Sequence, residues 1–236
     1  MTGGDGFLGR NLIRDIEVKH DVEIFKTNRL TPNDILEGYI DDADYIFHFA
    51  GEVIPSIPLE LMNEGNVGLT SFILNRVKLS KKKKTIIYSS SIHAKSPVNN
   101  YGLSKRESEL LFEDILSGTN HSSIIYRLPH LFGPYAKPNH NSVITTWVFN
   151  AIYGNESIIY DRDLEINYCY SKDIVNQMIE HLEKDDSIGV EYKSPDLIYS
   201  VRLGYVFDLI SDFSNDVTLL ESDFEKKLYS TFQSFK

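Results

Sequence analysis

The sequence predicts an α/β fold in which a parallel sheet carries helices on both faces and a small C-terminal lobe follows. Short apolar runs alternate with helical patterns, which is typical of consecutive βαβ units. A glycine-rich turn also leads directly into a helical pattern. The length of 236 residues with 42% hydrophobic content suits one domain, or one domain with a small lobe. The predicted strands cover residues 22–25, 45–49, 85–88 and 123–126.

The glycine-rich turn stands at the start of the chain. Gly3, Gly6 and Gly9 are followed by an apolar helical pattern that begins at Leu12. Glycine is needed where the chain turns tightly and where backbone approaches a pyrophosphate, and the N–H groups at a helix start attract phosphate. The turn therefore predicts the dinucleotide cradle of a Rossmann-type domain. Because only two residues precede Gly3, we expect the usual central first strand to be absent and Thr2 to enter the turn directly.

The segment after the first predicted strand bears on the choice of dinucleotide. An NAD-specific site usually has an acidic residue there, which binds the ribose hydroxyls. Residues 26–29 are Lys-Thr-Asn-Arg and contain no acid. The guanidinium of Arg29 favours a ribose phosphate, and Lys26 is a weaker candidate for the same contact. The sequence therefore favours NADP, while NAD and an ordinary surface role for Arg29 stay open.

The second predicted strand, residues 45–49, leads toward the carboxyl edge of the sheet. It is followed by Ala50 and Gly51, whose small size lets the backbone approach a ligand. His48 lies within the apolar run. We interpret it as a core histidine with satisfied nitrogens rather than as a catalyst.

The strongest chemical signal combines strand-end serines with a tyrosine and a lysine. Ser89, Ser90 and Ser91 end the third predicted strand, and Tyr101 and Lys105 follow at a spacing that places both on one helix face. An ammonium favours the phenolate form of a neighbouring tyrosine, and a strand-end hydroxyl can hydrogen-bond the same substrate oxygen. This catalytic set fits proton transfer to or from an alcohol while a nicotinamide carries the hydride.

A second Tyr-x-x-x-Lys pair occurs at Tyr168 and Lys172. With 14 tyrosines in the chain, chance alone yields about one such match. No serine-ended strand precedes this pair, and the alternation of strands and helices has already ended. We therefore interpret it as a decoy.

From residue 133 onward the pattern changes. Prolines and asparagines between residues 134 and 141 predict a loop, and a helical pattern covers residues 143–153. We expect a dinucleotide-binding domain over residues 1–132, to which residues 163–182 return. The substrate-binding lobe is then expected over residues 133–162 and 183–236.

The composition excludes several classes of function. A net charge of −10 argues against nucleic-acid binding, which depends on clustered Lys and Arg. We interpret the run from Lys81 to Lys84 as a solvated loop, with partner binding as the alternative. Cys169 is the single cysteine, so an intrachain disulfide is excluded, and no metal site is predicted. Without an apolar run of about 20 residues or a signal region, we expect a soluble, cytoplasmic protein that does not bind membranes.

Taken together, these segments resemble the extended short-chain dehydrogenases/reductases of the nucleotide-sugar epimerase/dehydratase superfamily. The matching segments follow the family's order at residues 2–9, 48–51, 66–67, 89–91, 101–105, 127–134 and 173–175. More narrowly, residues 89–94, 126–133, 137–143 and 225–231 resemble the reductase half of capsule-biosynthesis proteins of the CapF type. Such proteins reduce the 4-keto group of UDP-2-acetamido-2,6-dideoxy-hexos-4-uloses with NADPH. They also carry a C-terminal cupin epimerase domain, which we expect this chain to lack.

The resemblance implies roles for individual residues along the cofactor. The pyrophosphate would lie against Gly3, Gly6, Phe7, Leu8 and Gly9, and the 2′-phosphate against Asn28 and Arg29. The adenine side would be lined by Phe49, Ala50 and Gly51. The nicotinamide and its ribose would contact Ser89, Ser90, Tyr101, Lys105 and Pro129. The substrate-side candidates are Ser91, His93, His130, Asn139, Asn141 and Arg162. A structural role for each histidine, and a surface role for Arg162, stay open.

Two departures from the family pattern bear on the reaction. Many nucleotide-sugar epimerases have an arginine about where Ile166 stands, which leaves the usual diphosphate clamp unassigned. Dehydratases follow the strand-end hydroxyl with an acidic pair, whereas Ile92 and His93 follow Ser91, so a 4,6-dehydratase is not expected.

The expected activity is NADPH-dependent reduction of the 4-keto group of a UDP-2-acetamido-2,6-dideoxy-hexos-4-ulose in capsule or surface polysaccharide biosynthesis. The first alternative is an NAD-dependent nucleotide-sugar 4-epimerase. The second is a truncated, non-catalytic dinucleotide-binding protein. A homodimer also stays open.

Overall fold

The computed structural model describes residues 1–54, 56–140, 142–183, 189–215 and 219–236. They divide into two compact units. The first unit comprises Met1–Leu128 and Asn176–Pro195, and the second comprises Pro129–Val175 and Asp196–Lys236.

The elements alternate between helices and strands along the chain. They are α1 (Phe7–Lys19), α2 (Asn33–Asp42), β1 (Tyr45–His48), α3 (Leu59–Asn63), α4 (Leu69–Leu79), β2 (Thr85–Ser91), α5 (Asn100–Ile115), β3 (Ser122–Leu128), β4 (His130–Phe132), α6 (Val143–Tyr153), β5 (Glu165–Tyr170), α7 (Ser171–Ile179), β6 (Gly189–Lys193), β7 (Tyr199–Arg202), α8 (Leu203–Ser214) and α9 (Asp223–Gln233). A π-helical turn, Glu64–Gly68, joins α3 to α4, and single 3₁₀ turns cover Ile92–Ala94 and Glu180–Leu182. Among the described helices, none is long and apolar enough to span a bilayer.

A parallel sheet with the strand order β1-β2-β3-β6 forms the centre of the first unit. The register pairs Tyr45 with Thr85 and Thr85 with Ser122, so these strands present their carboxyl ends at one edge. Their apolar side chains pack against α2, α4 and α5 in a continuous core that includes Leu36, Ile73 and Phe112. The predicted parallel α/β sheet is therefore confirmed.

The chain enters this sheet through Thr2. Thr2 forms isolated parallel bridges with Thr27 on one side and His48 on the other. Its N–H donates to the Phe47 carbonyl at 2.9 Å, and its own carbonyl accepts from the Phe49 N–H at 3.2 Å. In the part of the chain that the structure describes, no strand leads into the glycine turn. The predicted direct entry of Thr2 is confirmed.

The predicted strand over residues 22–25 was wrong, because this segment is irregular. Its end is held by the chain start: the Met1 amino group donates to the Phe25 carbonyl at 2.6 Å, and the Thr27 N–H donates to the Met1 carbonyl at 2.9 Å. Beside residues 22–24 there is a cavity of about 500 Å³, lined in part by Ile40 and Phe47. Among the described residues, 22–24 have no ladder partner there, so strand-forming side chains alone do not make a strand.

Lys84 shows that the interpretation of residues 81–84 as a solvated loop was wrong at its last position. The Lys84 side chain is buried, and its ammonium donates to the carbonyl oxygens of Asp41 and Ala43 at 2.8 and 2.7 Å. These carbonyls lie at the C-terminus of α2, where a cation is favoured by the helix dipole. Burial lowers the pKa of Lys84.

His48 joins the start of the chain to the sheet. Its Nδ1 lies 2.7 Å from the Thr2 hydroxyl oxygen and its Nε2 lies 2.9 Å from the Thr70 hydroxyl oxygen. Because the Thr70 hydroxyl donates to the Asn66 carbonyl at 2.7 Å, the bonds are consistent when Nε2–H donates and Nδ1 accepts. Burial, with the positive charges of Lys105 and the chain amino group, lowers the pKa of His48 to about 3. The interpretation of His48 as a core histidine is confirmed.

The second unit contains the sheet β4-β5-β7, in which β5 pairs parallel with β4 and antiparallel with β7. Aromatic side chains form much of its core. The ring of Phe132 contacts Tyr168, Tyr170, Tyr199 and Phe224. Helix α6 has the predicted bounds and ends where Gly154 adopts φ +69°.

Strand pairing explains why the unit boundaries differ from the expected ones. Because β5 pairs within the second unit, residues 163–175 stay there rather than returning to the first. Because β6 pairs with β3, the segment that returns is Asn176–Pro195. The first crossing between units follows Leu128, four residues earlier than expected.

The neutral state of His48 predicts a pH dependence of stability. The pKa is about 3 in the folded chain and 6.5 ordinarily, so below pH 6.5 the unfolded chain binds more protons and the folded state loses stability as the pH falls. Relative to a His48→Gln variant, the chain should lose roughly 2 kcal/mol of unfolding free energy between pH 7.5 and pH 5. Urea denaturation at both pH values measures this difference. Equal losses in the two proteins would contradict the assigned protonation state.

Candidate active site

The glycine turn packs bare backbone against the end of β1. Gly3 has φ +70°, and a Cβ there would lie 2.7 Å from the Ala50 nitrogen. A Cβ at Gly9 would lie 2.3 Å from the Gly3 carbonyl oxygen, to which the Gly6 N–H donates at 2.9 Å. Side chains are therefore excluded beside the N-terminus of α1, where free N–H groups and the helix dipole favour a phosphate.

The residues predicted to flank this cradle adjoin it. Phe49 and Ala50 provide the backbone against which Gly3 packs. Phe7 and Leu8 form the first turn of α1 and are half-buried. The structure thus brings the predicted pyrophosphate and adenine-side residues together at one edge of the sheet.

Gly51 lies beside both the loop after β1 and the catalytic helix. A Cβ there would lie 2.6 Å from the Asn66 Oδ1 and 3.7 Å from the Lys105 Nζ. The Asn66 amide donates to the Glu52 carbonyl at 3.1 Å and to the Ser104 hydroxyl at 2.9 Å, and its Oδ1 accepts from the Glu52 N–H at 2.6 Å. Asn66 therefore links the loop after β1 to α5 from within the π-helical turn, a feature often found at functional sites.

Asn28 and Arg29 lie in the turn that follows Thr27. The Asn28 Oδ1 accepts from the Leu30 N–H at 2.9 Å, and the Asn28 N–H donates to the Thr31 hydroxyl at 3.0 Å. The guanidinium of Arg29 forms an ion pair with Glu52. The predicted phosphate ligand is therefore engaged by a carboxylate of the chain.

Lys105 is the most deeply buried member of the predicted catalytic set. Its ammonium donates to the Ser89 carbonyl at 2.8 Å and to the Tyr88 hydroxyl at 3.3 Å. The Nζ also lies 4.7 Å from the Tyr88 ring centroid and 6.0 Å from that of Tyr101. Burial lowers the pKa of Lys105, and the negative charges that Tyr101 and Glu109 can carry oppose this shift.

Tyr101 and Ser91 are both neighbours of His93. The Ser91 hydroxyl oxygen accepts from the His93 N–H at 3.2 Å, which leaves the hydroxyl a proton to donate. The rings of His93 and Tyr101 are 6.3 Å apart. Asn99 begins α5 by accepting from the Gly102 N–H at 2.9 Å, which places half-buried Tyr101 in the first turn of the helix. The structure thus brings the catalytic set to the carboxyl end of β2.

Ser90 differs from its two neighbours, because its side chain points to α5. Its hydroxyl donates to the Glu109 carboxylate at 2.6 Å, and Arg127 binds the same carboxylate through two nitrogens at 3.0 and 2.8 Å. We therefore expect Ser90 to contact a cofactor through its backbone rather than through its side chain. The Ser89 hydroxyl donates to the His48 carbonyl at 3.4 Å.

The remaining described candidates belong to the second unit. Pro129 is buried, and exposed His130 has its ring 5.9 Å from that of Tyr168. Asn139 adopts φ +54° and donates its N–H to Thr146. Arg162 is held by Asp208, whose carboxylate oxygens lie 2.7 and 2.6 Å from one guanidinium nitrogen. Asn141 lies outside the described residues.

The decoy tyrosine, Tyr168, is part of the second unit's core. It is 2% exposed, and burial raises its pKa. Its hydroxyl has no hydrogen-bond partner among the described residues. A proton donor needs a reachable acceptor, so this position supports the interpretation of the pair Tyr168 and Lys172 as a chance match.

Three residues at the site were missed by sequence reasoning. Tyr88 lies one position before the serines, but its place in an apolar strand does not indicate that its hydroxyl accepts a hydrogen bond from Lys105. Glu109 could have been found, since it follows Lys105 by four residues and shares its helix face. Glu52 could not, because its proximity to Arg29 arises from a loop contact 23 residues apart in sequence.

Comparisons with known proteins identify a family and a curated relative that this chain resembles. A family model described as NAD dependent epimerase/dehydratase family matches residues 1–193. The curated UDP-2-acetamido-2,6-beta-L-arabino-hexul-4-ose reductase of Pseudomonas aeruginosa is 30% identical over 240 residues, which cover 100% of this chain and 64% of the relative.

Two solved structures resemble this chain over nearly its whole length. The crystal structure of the capsular polysaccharide assembling protein CapF from Staphylococcus aureus is 35% identical, with a TM-score of 0.87 over 99% of this chain and 64% of that one. The chain thus spans somewhat less than two thirds of these relatives. UDP-glucose 4-epimerase from Thermotoga maritima, at 16% identity and a TM-score of 0.83 over 99% of this chain and 97% of that one, shares the fold alone.

The close packing of the glycine turn predicts that a single methyl group disrupts dinucleotide binding. Gly9→Ala should weaken NADPH binding by at least about tenfold, because its Cβ collides with the Gly3 carbonyl. Gly38→Ala is the matched control, since nothing lies within 4 Å of a Cβ there. Fluorescence titration of both variants measures the effect. Unchanged affinity in a folded Gly9→Ala protein would show that the turn does not hold the dinucleotide.

Proposed function

The chain belongs to the NAD-dependent epimerase/dehydratase family, and on this premise we propose that it is an NADPH-dependent reductase. Its proposed substrate is the 4-keto group of a UDP-2-acetamido-2,6-dideoxy-hexos-4-ulose, in the biosynthesis of capsule or surface polysaccharide. The similarity to the curated UDP-2-acetamido-2,6-beta-L-arabino-hexul-4-ose reductase supports this substrate class. A homodimer remains a prediction from the sequence, which light scattering can test.

The observation that carries the proposal is the burial of the Lys105 ammonium beside Tyr101 at the serine-ended edge of β2. Its hydrogen bond to the Ser89 carbonyl at 2.8 Å fixes α5 against the strand end. The Ser91 hydroxyl oxygen accepts from the His93 N–H, and the ring centroid of Tyr101 lies 6.3 Å from that of His93. A phenol, a hydroxyl and a cation grouped in this way can bind one carbonyl oxygen and give it a proton.

The residues present fit a dinucleotide. Gly3 and Gly9 keep side chains out of the turn before α1, and Gly51 keeps one out beside Lys105. The pyrophosphate would be held by the glycine turn and the first turn of α1, and the nicotinamide ribose by Tyr101 and Lys105. When bound, the nicotinamide supplies the hydride that reaches C4 of the sugar.

In the proposed reaction, side chains of the protein orient the carbonyl and supply its proton. The Ser91 hydroxyl donates a hydrogen bond to the C4 carbonyl oxygen and orients it. Tyr101 gives its phenolic proton to that oxygen as the carbonyl becomes an alcohol, and the phenolate left behind is stabilised by the Lys105 ammonium. Because hydrogen bonds to Tyr88 and to the strand end already hold the Lys105 ammonium, it does not have to change position during turnover.

Replacing the proton donor should separate turnover from cofactor binding. Tyr101→Phe should lower the rate of NADPH oxidation with a UDP-4-keto-6-deoxy-N-acetylhexosamine by at least about a hundredfold, because the donor is removed while the cradle is unchanged. The dissociation constant of NADPH should change by less than about tenfold, because the glycine turn is unchanged and at most one hydrogen bond to the nicotinamide ribose is lost. Absorbance at the nicotinamide band and a binding titration measure the two quantities.

Tyr168→Phe is the control for this experiment. It deletes a hydroxyl that has no hydrogen-bond partner in the described part of the chain, so turnover should be nearly unchanged. A chain that binds NADPH but oxidises it with no such sugar would overturn the reductase proposal and leave a dinucleotide-binding protein. Interconversion of nucleotide sugars at C4 without NADPH consumption would favour the 4-epimerase.

A further inference from the structure

The ion pair between Arg29 and Glu52 joins the two loops predicted to hold the adenosine end of the cofactor. Arg29 follows the Thr27 bridge to the chain start, and Glu52 follows Gly51 at the end of β1. Residues 26–29, where a ribose-binding carboxylate is usual, contain no acid. The structure brings one to the same region from the neighbouring loop.

Glu52 is held in place while Arg29 is not. The backbone of Glu52 makes two hydrogen bonds with Asn66, at 2.6 and 3.1 Å, and Asn66 is 1% exposed. The Glu52 Cγ would lie 3.1 Å from a Cβ at Gly65, so its side chain lies close against the π-helical turn. The side chain of Glu52 is 21% exposed and that of Arg29 is 82% exposed. The carboxylate is therefore the anchored partner, and the guanidinium reaches it from solvent.

The second predicted phosphate cation is paired in the same way. The Lys26 ammonium lies 2.9 Å from the Asp5 carboxylate, beside the glycine turn. Each of the two cations that the sequence predicts for a 2′-phosphate therefore has a carboxylate partner. A site of this kind differs from one with unpaired basic residues, because a 2′-phosphate must compete for charges that are already engaged.

NADPH and NADH interact differently with the Arg29–Glu52 pair, because only NADPH carries a 2′-phosphate. The 2′-phosphate of NADPH must draw Arg29 away from Glu52 and approach a carboxylate of like charge. The unphosphorylated ribose of NADH leaves the pair intact, and its hydroxyls can donate to a carboxylate.

We propose that Glu52 is a specificity-determining residue that lowers the preference of this site for NADPH over NADH by holding Arg29. This inference rests on the proposed function only in requiring a nicotinamide dinucleotide at the glycine turn. Arg29 supplies the attraction for a 2′-phosphate, and Glu52 sets how much of that attraction is realised.

Titration of NADPH and NADH against the purified chain and single variants tests the proposal. Glu52→Gln keeps the size of the side chain and removes its charge, so it should raise the ratio of NADPH to NADH affinity by about fivefold, mainly by tightening NADPH. Arg29→Ala should lower this ratio, and adding Glu52→Gln to Arg29→Ala should raise it by clearly less than in the parent chain, because only the direct effect of the Glu52 charge on the ribose is then left. Glu37→Gln is the matched control, since it removes the same charge from the exposed Arg76–Glu37 pair at 3.3 Å.

The outcomes separate this inference from the proposed function. A ratio that Glu52→Gln leaves unchanged, or that Glu37→Gln raises equally, would overturn the role of Glu52 while the reductase proposal stands. A Glu52→Gln effect of undiminished size in the Arg29→Ala background would also overturn it, because the carboxylate would then act independently of Arg29. Failure of the folded chain to bind either dinucleotide would overturn both. Circular dichroism melting confirms that each variant is folded.

Discussion

The buried ammonium of Lys105 is the constraint on which the rest of the site depends. A cation removed from water needs oxygen partners, and here they are the Ser89 carbonyl and the Tyr88 hydroxyl. Meeting that need fixes the distance between α5 and the end of β2. The position of Tyr101 follows, because it stands one helical turn before Lys105. Ser90 and Glu109 add a second link between the same strand and the same helix.

A second constraint connects this site to the glycine turn. A chain of hydrogen bonds runs through the first unit from Thr2 through His48 to Thr70. In this chain Nδ1 of His48 accepts a hydrogen bond and its Nε2–H donates one. Asn66 continues the chain, accepting from Thr70 through its carbonyl and holding Glu52 through its side chain. The cradle, the loop after β1 and α5 are therefore positioned by one polar network whose members are buried and paired.

Features set by local sequence could be predicted. Strands β1, β2 and β3, helix α6 and the pair Tyr101 and Lys105 are encoded by apolar periodicity and helical spacing, and the structure has each of them. Features set by distant contacts could not. Residues 22–25 have strand-forming side chains but lack ladder partners, Lys84 is buried because carbonyls of α2 bind it, and the acid near Arg29 comes from another loop. The assignment of β5 and β6 to different units likewise depended on pairing that no local pattern reveals.

Transfer of deuterium from NADPH labelled at C4 of its nicotinamide, in separate R and S forms, shows whether this site delivers hydride to the sugar carbonyl. We expect one of the two forms to deliver one deuterium to C4 of a UDP-4-keto-6-deoxy-N-acetylhexosamine for each NADPH oxidised, as read by mass spectrometry and NMR of the product. Turnover that leaves C4 of the sugar free of deuterium with both forms would contradict it, because Ser91, Tyr101 and Lys105 would then not serve the reduction of a carbonyl at that carbon.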